Sequence, residues 1–174
     1  VDSSFQTGDG NTFALYKDNA ASGINYGVEW SLSWNVNDNW KLFGSLGYLK
    51  AEFEDYTYVD PTDNSSIVNL DGAEQGYAPT YTYRAGTELT FANGFFSELS
   101  IHGRDAYVFE INSGSELDQY NLLDFRIGYE KANWRLTLWV NNLLDKHYDV
   151  RGFYFANEPP AYDDPKAWLT QGNR

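Results

Sequence analysis

The sequence predicts an all-β protein, an antiparallel up-and-down transmembrane β-barrel segment with short turns at one end and long loops at the other. Three observations predict it. Apolar and polar residues alternate with period two over unusually long runs, one strand–turn–strand unit recurs three times with aromatic residues beside its turns, and the charges fall on one register of the alternation.

From Ile24 to Val36 every even position is apolar (Ile24, Tyr26, Val28, Trp30, Leu32, Trp34, Val36) and every odd one is polar or Gly. That is a strand with two chemically opposite faces. After Asn37-Asp38-Asn39 the alternation resumes at Trp40, Leu42, Gly44, Leu46 and Tyr48, which predicts a tight hairpin. The unit returns over 81–91 and 95–107 around Ala92-Asn93-Gly94, and again over 123–130 and 134–140 around Lys131-Ala132-Asn133. Thr12 to Lys17 reads as a further strand whose N-terminal partner is missing, which brings the expected total to about seven. Long polar loops are expected at Asp55–Ala78, Glu110–Gln119 and Val150–Gly172.

In these windows Glu29, Lys41, Arg84, Glu88, Glu98, Arg104, Asp124, Arg126, Glu130 and Arg135 occupy the non-apolar register, and Asp105 alone breaks the rule, near a loop end. The opposite face is therefore one that excludes charge. A soluble β-sandwich alternates too, but its strands are typically about five to six residues long. Runs of nine to thirteen residues suit a tilted bilayer crossing, which takes about 9–11. Trp34, Trp40, Phe91, Phe95, Tyr129 and Trp134 flank the short turns, as an interfacial aromatic girdle on the periplasmic side requires.

Composition narrows the function. The 174 residues include 12 Lys+Arg against 25 Asp+Glu, a formal charge of −13, so no nucleic-acid partner is expected. The aromatic share of 18% is high for a mean hydropathy of −0.56, and those rings need a surface that uses them. Without Cys there is no disulfide framework and no thiol nucleophile. No run of about 18 apolar residues predicts a transmembrane helix. A chain opening on Val1 in polar text is expected to be a fragment or processed piece of a longer product.

No catalytic, cofactor or metal site is expected. His102 and His147 stand far apart with no zinc-type spacing, and phosphate-loop, dinucleotide and nucleophile-elbow motifs are absent. His102 reads as a lumen residue and His147 as a strand cap at the outer surface. The acidic set Glu52, Glu54, Asp55, Asp60 and Asp63 offers carboxylates for glycoside hydrolysis or Ca²⁺, but reads as a solvated loop, as does Asp163-Asp164. Lumen-facing Glu29, Lys41, Arg84, Glu88, Glu98, Asp124, Arg126 and Arg135 are expected to pair across strands. Candidate ligand contacts near the loops are Arg104, Arg151, Phe153, Tyr154, Phe155 and Trp168, with Tyr162 a further ring in the last loop.

The segment Trp139-Val140-Asn141-Asn142-Leu143-Leu144-Asp145-Lys146-His147-Tyr148, followed by Val150-Arg151-Gly152-Phe153-Tyr154-Phe155, resembles the penultimate strand and last external loop of TonB-dependent outer-membrane receptors. Tyr26-Gly27-Val28-Glu29, Gly44 to Phe53, Ala78-Pro79-Thr80-Tyr81 and His102 to Tyr107 resemble the same family, in order, from about residue 12 to the end. The resemblance implies a plugged barrel of about 22 strands, of which residues 1–174 would be the C-terminal portion, roughly strands 15 to 21, without the plug domain and final strand. It further implies outer-membrane lipid, a plug domain of the same full-length chain and the TonB complex as partners, no cofactor, and a bulky scarce nutrient as ligand, most commonly a ferric siderophore. A passive porin-like channel and a secreted carbohydrate-binding sandwich are the alternatives.

Overall fold

A computed structural model of the protein describes residues 2–6, 13–17, 22–59, 66–156 and 164–172. Among the described residues there are fourteen strands and no helix. Six of them form one antiparallel sheet in simple up-and-down order: β3 (Ser22–Asn37), β4 (Trp40–Glu54), β7 (Tyr81–Thr90), β8 (Phe95–Arg104), β11 (Tyr120–Lys131) and β12 (Trp134–Val140). No second sheet faces this one among the described residues, and its two edges, β3 and β12, do not meet.

At one end the connections are short because their residues suit tight reversals. Asn37 Oδ1 accepts from Asn39 N at 2.9 Å beside a bulge between Asn35 and Asn37, and Asn39 Nδ2 donates to Thr90 O of the neighbouring strand at 2.7 Å. The β7–β8 turn relies on Gly94, whose φ of +94° is open to Gly and strained for L side chains. Its carbonyl also accepts Glu130 N at 2.8 Å, and a Cβ there would press into the Glu130 carbonyl. Gly94→Ala is therefore expected to destabilise the full-length protein by about 1–3 kcal/mol, visible as a lowered urea midpoint in lipid vesicles.

At the other end the three predicted loops carry structure of their own. The β4–β7 connection holds the hairpin β5 (Thr57–Val59) and β6 (Ile67–Asn69), and the β8–β11 connection holds β9 (Tyr107–Glu110) and β10 (Ser115–Leu117). After β12 comes β13 (Asp149–Phe155) paired with β14 (Lys166–Gln171). These hairpins escape a reading by alternation because their strands are short and broken by polar residues. Residues 95–107 read as one run but divide at Asp105, whose Oδ1 accepts Ala106 N at 3.0 Å and whose own N–H turns to Tyr81 O at 2.9 Å.

One expectation is corrected. The strand β2 (Phe13–Lys17) has an N-terminal partner, β1 (Asp2–Gln6), in register Asp2↔Lys17 to Gln6↔Phe13. Backbone pairing needs no alternating side chains, so a run as polar as Asp2-Ser3-Ser4-Phe5-Gln6 shows no periodicity to read. This pair forms a two-stranded sheet of its own, so the main sheet holds six strands of the expected seven. The strands β3 and β4 also run longer than their clean windows, to 16 and 15 residues.

The buried apolar residues gather mostly at the loop end. Tyr107, Phe109 and Leu117 form a small core with Tyr154 packed on it, and Ala51, Phe53 and Tyr56 are buried nearby. The outward side chains of the sheet are uncovered: Val28 is 67% exposed, Trp30 55% and Leu138 65%.

Candidate functional site: an apolar outer wall, a charged inner wall and an external cap

Strand register decides which residues share a wall. Pairings such as Trp30↔Leu46, Leu46↔Tyr83, Ala85↔Ile101, Ile101↔Leu123 and Ile127↔Leu138 place the apolar sets of all six strands on one face. All six predicted girdle residues, Trp34, Trp40, Phe91, Phe95, Tyr129 and Trp134, lie on that face at the short-turn end. Phe95 and Tyr129 meet edge to face at 4.8 Å, and Tyr129 and Trp134 meet at a tilt at 5.3 Å. Trp40 Nε1 donates to Thr87 Oγ1 at 2.8 Å, which satisfies its polar tip within the wall.

A second aromatic band, which the sequence reading did not single out, lies toward the loop end: Tyr26, Tyr48, Tyr81 and Tyr83. The register pairs Tyr48 with Tyr81 directly. Tyr83 crosses Gly103, where a side chain would block it, and its hydroxyl donates to Asn121 Oδ1 at 2.6 Å. Tyr81 OH donates to Gln119 Oε1 at 3.0 Å. Tyr26 and Trp34, like Tyr48 and Trp40, stand eight residues apart. Eight residues are about 27 Å along a strand; with a tilt of about 40° the bands lie about 20 Å apart, close to the roughly 25 Å apolar belt of outer-membrane barrels. The useful signal was this second ring, eight positions back from the turn aromatic.

Beyond Tyr48 the pattern of β4 inverts. Lys50 and Glu52 take the outer register and form an ion pair at 2.9 Å, while Ala51 and Phe53 turn inward and are buried. The neighbouring Glu52 carboxylate raises the pKa of the exposed Lys50 ammonium. The strand has left the apolar belt at this point.

The inner wall carries the predicted charges, and the structure brings most of them together. Glu98 is gripped from both sides, by Arg84 Nη2 at 3.3 Å and by Arg126 Nη2 from the next strand. Arg84 Nη2 also donates to Ser100 Oγ at 3.3 Å. His102 Nδ1 meets Asp124 Oδ2 at 3.1 Å, and Arg135 pairs with Glu130 at 3.3 Å while its guanidinium lies 4.3 Å above the Phe96 ring. Lys41 and Glu88 face each other in register. Glu29 stands apart from these groups, opposite Gly47. Trp139 was not assigned to this wall, yet its register with Arg126 places it there, and it is 67% exposed.

The motif after β12 is a knot around Asn142. This residue is buried with φ +51°, its Nδ2 donates to Lys146 O and its Oδ1 accepts Lys146 N, both at 2.9 Å. Its own N–H donates to Asp124 Oδ1 at 3.0 Å, so Asp124 joins the knot to His102.

Of the loop candidates, Arg104 is buried at the loop end of β8. Arg151 lies 4.6 Å over the exposed Phe153 ring, Tyr154 packs on the small core of Tyr107, Phe109 and Leu117, and Phe155 stacks on Trp168 at 5.7 Å. Trp168 Nε1 donates to Phe155 O at 3.1 Å, and Lys166 sits 4.4 Å over its ring. Tyr162, Asp60, Asp63 and Asp163 lie outside the described residues. Tyr77 was missed altogether: it has φ +61°, donates its N–H to Val108 O at 2.8 Å and its hydroxyl to Gly152 O at 3.1 Å.

An apolar belt between two aromatic bands, backed by a charged wall, is the surface of an outer-membrane barrel. A family model described as TonB dependent receptor-like, beta-barrel, matches residues 1–143. The chain belongs to that family. Solved structures share the fold at low identity. The ferric yersiniabactin uptake receptor FyuA from Yersinia pestis aligns over 91% of this chain at 17% identity and a TM-score of 0.68. The siderophore receptor PiuA from Acinetobacter baumannii aligns over 73% at 17% identity and a TM-score of 0.61. The ferric-catecholate import receptor Fiu from E. coli K12 aligns over 84% at 20% identity and a TM-score of 0.54. This receptor-barrel chain covers 23%, 18% and 19% of those three chains, less than a quarter of each.

Proposed function

We propose that this segment forms barrel wall and external loops of an active transporter that takes up a bulky, scarce nutrient across the bacterial outer membrane, with a ferric siderophore as the expected ligand class. The observation that carries the reading is the receptor-barrel family match over residues 1–143. The names of the three similar structures, each a receptor for a ferric chelate or siderophore, support the ligand class. In the full-length protein a plug domain would fill the lumen and couple to the TonB complex. One open feature of the inner wall supports a plug packed there: the exposed Trp139 ring. The ligand would bind between the external hairpins and the plug apex, and no catalytic step is part of the proposal.

The test is uptake by cells expressing the full-length protein under iron limitation, with radiolabelled iron supplied as a panel of chelates. Saturable uptake of one chelate that stops when the proton-motive force is collapsed is the expected result. Uptake that rises linearly with concentration and survives uncoupling, together with open conductance in planar bilayers, would replace this reading with a passive channel.

A further inference from the structure

Arg104 is 9% exposed at the end of β8, and a buried guanidinium is costly unless its donors are met. Its Nη1 donates to Asp105 O at 2.8 Å and Asp118 O at 3.3 Å, and its Nη2 donates to Asp149 O at 3.0 Å. The rings of Tyr107 and Tyr120 enclose the cation at 4.3 and 4.7 Å. The three carbonyls belong to the two roots of the β9–β10 hairpin and to the first residue of β13. Charge-assisted bonds to them, in a site shielded from water, tie two separate hairpins to one side chain.

The hairpins need that tie. Strands of four and three residues (β9 and β10) or seven and six (β13 and β14) are marginal alone. The apolar core they possess is shared: Tyr107 and Phe109 come from β9, Leu117 from β10 and Tyr154 from β13. Tyr107 OH donates to Val150 O at 3.2 Å, and burial raises its pKa while Arg104 opposes that rise, so it remains a donor at neutral pH. From the β6–β7 connection, Tyr77 reaches both hairpins from a left-handed backbone conformation that the surrounding contacts must hold in place.

We propose that β9–β10, β13–β14 and the Tyr77 segment form one cooperative cap that opens all or none, with Arg104 as its fastener. This conformational device goes beyond the transport reading and holds whatever the ligand is.

Hydrogen exchange followed by mass spectrometry on the full-length protein in lipid nanodiscs, without ligand, tests it. In the unsubstituted protein, peptides from 107–117 and 149–156 are expected to share one opening constant. Arg104→Lys keeps the charge but loses the fork that reaches three carbonyls. It is expected to speed exchange in both peptides together by tenfold or more, while amides of 81–90 in the sheet are unchanged. Tyr77→Phe, which removes one hydroxyl donor, is expected to speed the same two peptides together by a smaller factor. If Arg104→Lys prevents barrel assembly, the unsubstituted protein and Tyr77→Phe still decide the matter. Opening constants that differ between the two hairpins, or acceleration confined to 149–156, would overturn the proposal.

Discussion

A lysine at position 85 is expected to cost the full-length barrel about 2–4 kcal/mol, the penalty for a cation at the middle of the apolar belt. Ala85 is exposed on the outer face between Gly44 and Ile101, and Gly44 lies four residues from each of Tyr48 and Trp40. Replacing so small a side chain removes almost no packing, so the cost isolates the transfer of charge into hydrocarbon. Leu89→Lys, opposite Trp40 at the girdle, is expected to cost about 0–1 kcal/mol beyond its lost apolar area, because the ammonium reaches the interface there. Ser31→Lys points to the lumen opposite Ser45 and is expected to be nearly neutral. Equilibrium urea unfolding in lipid vesicles measures all three. Equal costs at 85 and 31 would mean that the apolar face does not meet lipid.

Asn142→Ala is expected to have an effect of the same size for a different reason. The substitution leaves the N–H and C=O of Lys146 without their buried partner and forces a Cβ-bearing residue without Asn's local hydrogen bonds to hold φ +51°. Together these amount to about 2–4 kcal/mol. Asn142→Gly accepts the backbone conformation but still lacks the amide, and is expected to recover about 1 kcal/mol. The same unfolding measurement checks both variants. An alanine variant within about 0.5 kcal/mol of the unsubstituted protein would show that the knot is not what holds the end of β12 to Asp124.

Both predictions concern residues visible in the sequence, but only one could be argued from it. The outer wall was legible because bilayer and lumen impose opposite chemistry on successive residues. A period of two over 24–36, or charges at 84, 88, 98, 124, 126 and 135, therefore reports directly on which way each side chain faces. The girdle at Trp34, Trp40 and Trp134 follows from the same constraint, since the headgroup layer selects amphipathic rings at a fixed depth. The role of Asn142 was not legible. Its segment resembles a family motif, but what Asn142 does there, holding a left-handed backbone conformation and contacting Asp124 18 residues away in sequence, is decided by the tertiary structure.

The cap was legible least of all. The position of Arg104 near the loops makes it a candidate ligand contact, and nothing in the sequence shows that its guanidinium donates to the carbonyls of Asp105, Asp118 and Asp149. Carbonyls are identical in every residue, so no sequence pattern marks them as partners. Tyr77 likewise looked like one more polar-loop residue, and only the meeting of two hairpins gives its hydroxyl an acceptor at Gly152.

By itself, then, the sequence determined the membrane-facing belt, the charged inner face, the three short turns and the family, because each follows from local periodicity or from residues adjacent in the chain. The tertiary structure alone decided that the long connections fold into hairpins, that β1 pairs with β2, that Glu98 is held between two arginines, and that one buried guanidinium joins the external segments. Those features rest on backbone groups and on contacts between distant strands, where the partner's identity leaves no mark on the residue that needs it.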